Sequence, residues 1–238
     1  MQVRDKSKDK KAVINNLYED MRSVNSNFRK NSKEFQNPYM IDFVCRIKLF
    51  RIAFGYSQEE LTFLLGYQSK RITAIELFTS GPGYLIRDLA YLSHVFGCSH
   101  HQFFPDGLVT NQEIAIRTVQ YRQSGKLIHE IWENKKDGSE ELLWKVPEQD
   151  PKIFHFPEDI PDVIKETTEM IAKLISERYF DDPKETAEVF KICREAIGYE
   201  LKPRYLEKAL ELFTAGREGL YLKKVKEGHR HAYAKAEG

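Results

Sequence analysis

Cysteine is scarce in this chain, and Cys45, Cys98 and Cys193 lie far apart without a CxxC pair. The disulfide framework of a small secreted domain needs an even, closely spaced set, so we expect these thiols to stay reduced. No apolar run reaches the roughly 18 residues of a membrane span, and the charged first residues lack the apolar stretch of a signal peptide. The sequence therefore predicts a cytoplasmic protein that does not span a membrane.

The chain also lacks the motifs of several common enzyme classes. No GxxxxGK[ST], GxGxxG, HExxH or GxSxG occurs. His94, His100 and His101 lie close together, and His229 and His231 lie near the end, but neither group has Cys or carboxylate partners at ligand spacing. We therefore expect no catalytic residue, no metal site and no cofactor.

A net charge of +1 argues against a protein that coats nucleic acid by bulk charge alone. The distribution is uneven: residues 1–38 carry +4, residues 39–106 are neutral, residues 161–216 carry −3 and residues 217–238 carry +3. A chain of 238 residues has room for two small domains, so this asymmetry predicts that its two halves meet different partners.

Near the N-terminus, apolar residues recur at the alternating spacing of 3 and 4 that is typical of a helix with a heptad seam. They are Ile14, Leu17, Met21, Val24 and Phe28. Two interpretations stay open: the helix docks on its own domain, or it pairs with a second copy in a dimer. Asn37 and Pro38 end it, so residues 1–38 form a basic arm and an amphipathic helix.

Residues 39–106 have the pattern of short helices with clear ends. A helix over about 41–54 stops at Gly55, and Ser57 with Glu60 forms a capping box that starts the next helix. Gly66 closes that helix, and a new one begins after a turn of three or four residues. Two more helical segments follow, one over about 85–96 and a short one that Ser99 caps.

Three motifs occur in order here: Gly55-Tyr-Ser-Gln-Glu-Glu-Leu61, Leu65-Gly-Tyr-Gln-Ser-Lys-Arg-Ile-Thr-Ala-Ile-Glu76 and Leu89-x-x-Leu-x-x-Val-Phe-Gly97. This succession resembles the lambda-repressor-like helix-turn-helix of the XRE family, over about residues 39–106. The resemblance implies a five-helix DNA-binding domain whose second helix of the pair enters the major groove, while the first crosses the backbone.

By this resemblance, the recognition helix spans Gln68–Leu77 with Ile72 and Ile75 turned toward the core. The residues left for DNA contact are Gln68, Ser69, Lys70, Arg71 and Thr73, together with Gln58 at the start of the preceding helix. Ser69 and Lys70 sit where the family reads bases, and Lys70 suits guanine O6 and N7. Gln58 would hold a phosphate.

Two further features follow from the same family resemblance. Arg51 and Glu76 occupy positions that in the family form an internal, structural salt bridge. The segment 77–81, where many relatives carry a basic loop, has no cation here. Affinity for DNA would therefore need cations from the N-terminal arm or from dimerisation.

The rest of the chain adds no family. Residues 107–160 form a connector in which the runs 126–133 and 142–146 predict a β-hairpin around Asp137 and Gly138. Residues 161–228 predict a C-terminal domain of three helices over about 162–179, 183–197 and 203–226, and 229–238 a loose tail. The predicted fold class is mainly α: a five-helix DNA-binding domain and a mostly helical C-terminal domain.

Two functional hypotheses from different classes remain. The first is a regulator, a repressor that binds double-stranded DNA sequence-specifically as a homodimer. The alternative is an antitoxin-like or other protein-binding module whose acidic C-terminal helices bind a partner protein. The apolar face of the first of these helices is either core or a dimer surface. Its residues are Ile164, Ile171, Leu174 and Ile175.

Overall fold

A computed structural model describes residues 34–67, 70–79, 83–106, 112–150, 161–198, 201–214, 222–228 and 230–236. Most of the predicted N-terminal arm and helix, residues 1–33, lies outside these residues, but the expected helix does not extend to Asn37, because Glu34–Gln36 form a strand. The described residues fall into two compact units. Unit 1 contains residues 34–35 and 114–150, and unit 2 contains residues 36–106, 112–113 and those from 161 onward.

Helices and strands alternate along the chain in blocks. The helices are α1 (Pro38–Ala53), α2 (Gln58–Leu64), α3 (Arg71–Glu76), α4 (Ile86–Phe96), α5 (Pro161–Ser176), α6 (Thr186–Ile197) and α7 (Pro203–Thr214), with 3-10 turns at His100–Phe103 and Tyr179–Asp181. The strands are β1 (Glu34–Gln36), β2 (Ile114–Gln123), β3 (Lys126–Asn134), β4 (Glu140–Gln149), β5 (Lys184–Glu185), β6 (Leu222–Glu227) and β7 (Arg230–Lys235).

The prediction of a mainly α fold is wrong, because the described residues also form two antiparallel sheets. The predicted hairpin is confirmed as β3 and β4, which pair His129 with Val146. It belongs to a four-stranded sheet in the order β1-β2-β3-β4. Strand β2 was not predicted, because its apolar alternation changes phase between Ile116 and Val119.

The C-terminal segment contains the second sheet, in the order β5-β7-β6. The helix expected to run from Pro203 to about 226 ends at Thr214, and the segment expected to be a loose tail contains β7. Both differences have one cause. The strands β6 and β7 are rich in lysine and alanine, which are poor strand formers, and they are held in place by pairing with each other and with β5.

The four helices of the 39–106 segment are confirmed within a few residues, but the C-terminal helices do not pack apart from them. Both groups belong to unit 2, where α2 packs on α6 and α7, and α4 packs on α6. Of the predicted apolar face, Ile171, Leu174 and Ile175 are buried and Ile164 is half-buried, which agrees with the core interpretation of that face. Within the described residues, no helix is long and apolar enough to cross a membrane.

Candidate functional site

The start of α2 is fixed by the predicted capping box. The Ser57 hydroxyl accepts from the Glu60 amide at 3.1 Å, and the Glu60 carboxylate accepts from the Ser57 amide at 2.8 Å. These two bonds satisfy amide groups that a helix leaves unpaired at its first turn. The capping box therefore sets where α2 begins relative to the end of α1.

A buried ion pair joins the end of α1 to the end of α3. The Arg51 guanidinium donates to both carboxylate oxygens of Glu76, at 2.7 and 2.9 Å, and to the carbonyl of Tyr56 at 2.8 Å. Lys48 approaches the same carboxylate at 3.7 Å. This fork geometry fixes both the distance and the angle between the two helices.

Glu76 stays ionised in spite of its burial. Burial alone raises the pKa of its carboxyl group. The charges of Arg51 and Lys48 and the hydrogen bonds from Arg51 and Gln58 outweigh this effect and lower the pKa to about 2. The ordinary value is 4.5. The ionised form is thus the one that holds α1 and α3 together.

Gln58 and Thr73, both predicted to contact DNA, are hydrogen-bonded to each other. The Gln58 amide nitrogen donates to Glu76 at 2.7 Å, and its amide oxygen accepts from the Thr73 hydroxyl at 2.9 Å. Gln58 is 7% exposed. Its side-chain amide therefore extends the Arg51–Glu76 network, and a phosphate contact would have to break these bonds.

Lys70 and Arg71 mark the beginning of α3. Lys70 is exposed, whereas Arg71 is half-buried, donates to the Gly83 carbonyl at 3.3 Å and lies over the Tyr67 ring at 5.8 Å. The predicted base-contacting residues Gln68 and Ser69 lie outside the described residues. Of these two cations at the start of α3, Lys70 is the one that is exposed to solvent.

The outer side of α2 is covered by the C-terminal helices. Arg204 contacts Glu60 at 2.9 Å, Lys202 donates to the Phe54 carbonyl at 3.3 Å, and the Phe190 ring meets the Tyr56 ring. Among the α2 residues, Glu59 alone is fully exposed. The helix expected to cross the DNA backbone is thus enclosed by its own chain.

Strand β7 reaches the turn between α2 and α3, which sequence reasoning missed. The His231 amide donates to the Gly66 carbonyl at 2.7 Å, and Arg230 pairs with Tyr67 across an isolated bridge. A Cβ atom on Gly66 would lie 2.6 Å from the His231 carbonyl oxygen. The sequence offers one weak signal, the alternation of large and small residues from His231 to Lys235.

Arg230 anchors this contact inside unit 2. Its guanidinium forms an ion pair with the buried Asp88 and lies 4.9 Å from the centroids of both the Tyr67 and Tyr91 rings. Tyr67 donates to Asp88 at 2.9 Å, and Asp88 also accepts from the Leu85 amide at the start of α4. This cluster therefore ties β7 to the α2–α3 turn and to α4.

Neither a metal-binding group nor an activated buried thiol is present among the described residues. In the described part of the chain, no group of three His, Cys, Asp or Glu side chains could hold a metal ion. Burial raises the pKa of Cys45 and Cys193 to about 12, which makes both thiols poor nucleophiles. Comparisons of this chain with protein-family models, with curated proteins and with solved structures found no match.

Proposed function

We propose that this protein binds double-stranded DNA through α3 and acts as a sequence-specific transcriptional regulator. The observation that carries the proposal is the division of α3 into two sides. Ile72, Ile75 and Glu76 are buried, while Lys70 is exposed and the outward residues Arg71, Thr73 and Ala74 are half-buried. A short helix that is buried on one side and half-buried on the other, and that follows a short turn ending in an exposed lysine, has the placement that a recognition helix needs.

The ion-pair network supports the proposal because it holds α3 rigidly. Arg51, Glu76, Gln58 and Thr73 connect α1, α2 and α3 through bonds of 2.7–2.9 Å. A helix fixed in this way loses little conformational entropy when it enters a major groove. The network therefore serves DNA recognition indirectly, by orienting α3.

The proposed contacts centre on the beginning of α3. Lys70 donates to guanine O6 and N7, Arg71 meets a backbone phosphate, and Gln68 and Ser69 contribute as the family resemblance implies. Gln58 is left out of the proposed surface, because its amide is bonded inside the protein. A homodimer would read two half-sites about one helical turn apart, and reduced cysteines together with chromosomal DNA suit the cytoplasm.

The alternative, an antitoxin-like module that binds a partner protein, gains no specific support. The apolar sides of α5, α6 and α7 are used within unit 2, where Ile171, Phe190 and Leu206 are among the buried residues. A partner would then meet the outer sides of these helices, where Leu212 is 49% exposed among charged residues, and no contact among the described residues favours such a partner over DNA. We therefore keep DNA binding as the proposed function.

The test begins with selection of bound fragments from genomic DNA by the full-length protein, followed by binding measurements on the enriched site. Lys70→Ala should weaken binding to this site by about 1–3 kcal/mol and binding to random DNA by much less. Lys165→Ala is the matched control, because this lysine is 75% exposed on α5. The absence of any enriched fragment would contradict the proposed function, and an equal loss on both DNAs would reassign Lys70 to phosphate contact.

A further inference from the structure

The hairpin formed by β6 and β7 concentrates positive charge. Residues 222–235 contain four lysines and one arginine against a single glutamate, a net charge of +4. The lysines Lys223, Lys224, Lys226 and Lys235 are exposed. A chain with a net charge of +1 thus carries a strongly basic element in this hairpin.

This basic hairpin is attached to the turn that precedes the proposed recognition helix. The His231 amide bonds to Gly66, and Gly66 precedes Lys70 by only four residues. In the pairing of β6 with β7, Lys226 lies directly opposite His231. Because neighbouring strands are about 4.8 Å apart, the backbone of Lys226 lies one strand beyond the residue that contacts the turn.

The arginine of the hairpin is an anchor and does not face solvent. Arg230 is 4% exposed and is neutralised by Asp88. Lys224 and Lys226, two residues apart on β6, share the opposite face of the hairpin with His231 and Tyr233. Lys224 lies over the Tyr233 ring at 5.7 Å. Arg230 thus attaches the hairpin to the rest of unit 2, whereas Lys226 is exposed to solvent.

A DNA-binding surface needs such cations, because neutralisation of phosphates supplies most of the sequence-independent affinity. The described residues that follow α3, Leu77, Phe78 and Thr79, carry no charge. We propose that the β6–β7 hairpin, through Lys226 and Lys224, contacts the phosphates of the same DNA duplex that α3 reads. This inference rests on the proposed function and assigns the contact expected of a basic loop to a segment about 145 residues further along the chain.

A purely structural role for the lysines is the competing explanation. Strand β6 is an edge of the sheet β5-β7-β6, and edge strands commonly carry lysines that prevent pairing with another chain. Such lysines would have no effect on DNA affinity beyond that of any other surface charge. The two explanations therefore differ in salt dependence.

The test uses the full-length protein and a mixed-sequence DNA duplex, since phosphate contacts do not depend on base sequence. The binding constant is measured over a range of salt for the parent protein, for Lys226→Gln and for Lys224→Gln/Lys226→Gln. Loss of each phosphate contact should reduce the slope of log affinity against log salt by about 0.9, giving about 1.8 for the double variant. The double variant Lys165→Gln/Lys173→Gln on α5 removes the same charge from exposed lysines and should keep the parent slope.

The outcomes separate this inference from the proposed function. If Lys70→Ala weakens binding but both hairpin variants keep the parent slope, the hairpin inference is overturned while the proposed function stands. If the hairpin variants lower the slope more than the α5 control does, the inference is supported. A parent protein that does not bind DNA overturns both, and circular dichroism of each variant verifies that the fold is unchanged.

Discussion

The Glu76 carboxylate is enclosed by protein, with 1% of its residue surface exposed, and it receives hydrogen bonds from Arg51 and Gln58. Removal of one partner from a buried ion pair costs about 3–5 kcal/mol, because the other charge is left without water or counterion. The Arg51–Glu76 pair therefore contributes more to the fixed geometry of α1 and α3 than to net stability. Loss of either residue would disturb both this geometry and the stability.

The depressed pKa of Glu76 makes this part of the stability depend on pH. The pKa is about 2 in the folded protein against an ordinary value of 4.5. A group whose pKa is lowered on folding stabilises the protein fully above its unfolded pKa, and this contribution is lost as the pH falls through the folded pKa. The window for the loss therefore runs from about pH 4.5 down to about pH 2.

We predict that Glu76→Gln lowers the free energy of unfolding at neutral pH. The difference in this free energy between the variant and the parent protein should become smaller at acid pH. The narrowing should approach about 3 kcal/mol between pH 4.5 and pH 2, the energy that corresponds to the pKa shift. Urea unfolding of the full-length protein at several pH values measures it. Glu59→Gln, which changes an exposed carboxylate on α2, is the control. The prediction is contradicted if the difference in unfolding free energy between Glu76→Gln and the parent protein stays constant from pH 4.5 to pH 2.

At the scale of elements, the contact of β7 with the α2–α3 turn depends on one glycine. Gly66 has a φ of +68°, a conformation that L side chains rarely adopt, and its missing side chain leaves room for the His231 carbonyl. Gly55 has a nearly identical φ of +67° at the end of α1, but nothing lies within 4 Å of its Cβ position. A comparison of substitutions at the two glycines therefore distinguishes the cost of the left-handed backbone from the cost of blocking the close approach of β7.

We predict that Gly55→Ala costs about 1–2 kcal/mol of unfolding free energy from its left-handed conformation alone. Gly66→Ala should cost about 1–3 kcal/mol more, because its methyl group would displace the β7 backbone. Thermal or urea unfolding of the full-length variants measures both costs. Equal losses for the two variants would show that β7 does not need close approach to the turn.

The helices could be predicted from the sequence better than the strands, for a physical reason. Helices α1, α2 and α4 carry their own end signals, such as the Ser57–Glu60 box and Gly97 with a φ of +62°, and apolar residues at helical spacing. Strands β6 and β7 have no such local signal. They exist because they pair with each other, with β5 and with the α2–α3 turn, all of which are distant in sequence.

The candidate site was predictable in the same uneven way. The pairing of Arg51 with Glu76 followed from the positions that the helix-turn-helix pattern assigns. The internal bonds of Gln58 did not follow, since a pattern places a side chain on a helix but does not name the group it meets. The cover over α2 could not be predicted, because Arg204 and Phe190 come from a segment more than 120 residues away.

On the scale of the whole molecule, the two units carry different spectroscopic signals. Both tryptophans, Trp132 and Trp144, belong to β3 and β4 in unit 1, whereas every helix of the described residues belongs to unit 2. Tryptophan fluorescence therefore follows the unfolding of unit 1. The helical signal in circular dichroism follows unit 2, so the two can be told apart without labels.

We predict that the two halves of unit 2 unfold together. Leu61→Ala in α2 and Phe190→Ala in α6 remove fully buried side chains and should each cost about 2–5 kcal/mol. Both variants should shift one and the same helical transition in thermal unfolding followed by circular dichroism. A split transition in Phe190→Ala, with part of the helical signal melting at the parent temperature, would show that the residues before 113 are stable without the C-terminal helices.

Unit 2 is built from two stretches of chain with unit 1 between them, and this order has a consequence for biosynthesis. Residues up to 113 leave the ribosome about 120 residues before β7 is complete. At about 5–20 residues per second, the residues up to 113 wait roughly 6–24 seconds until β7 is complete. Until then Tyr56 lacks its final neighbour Phe190, and the side of α2 that packs on α6 and α7 is exposed to solvent.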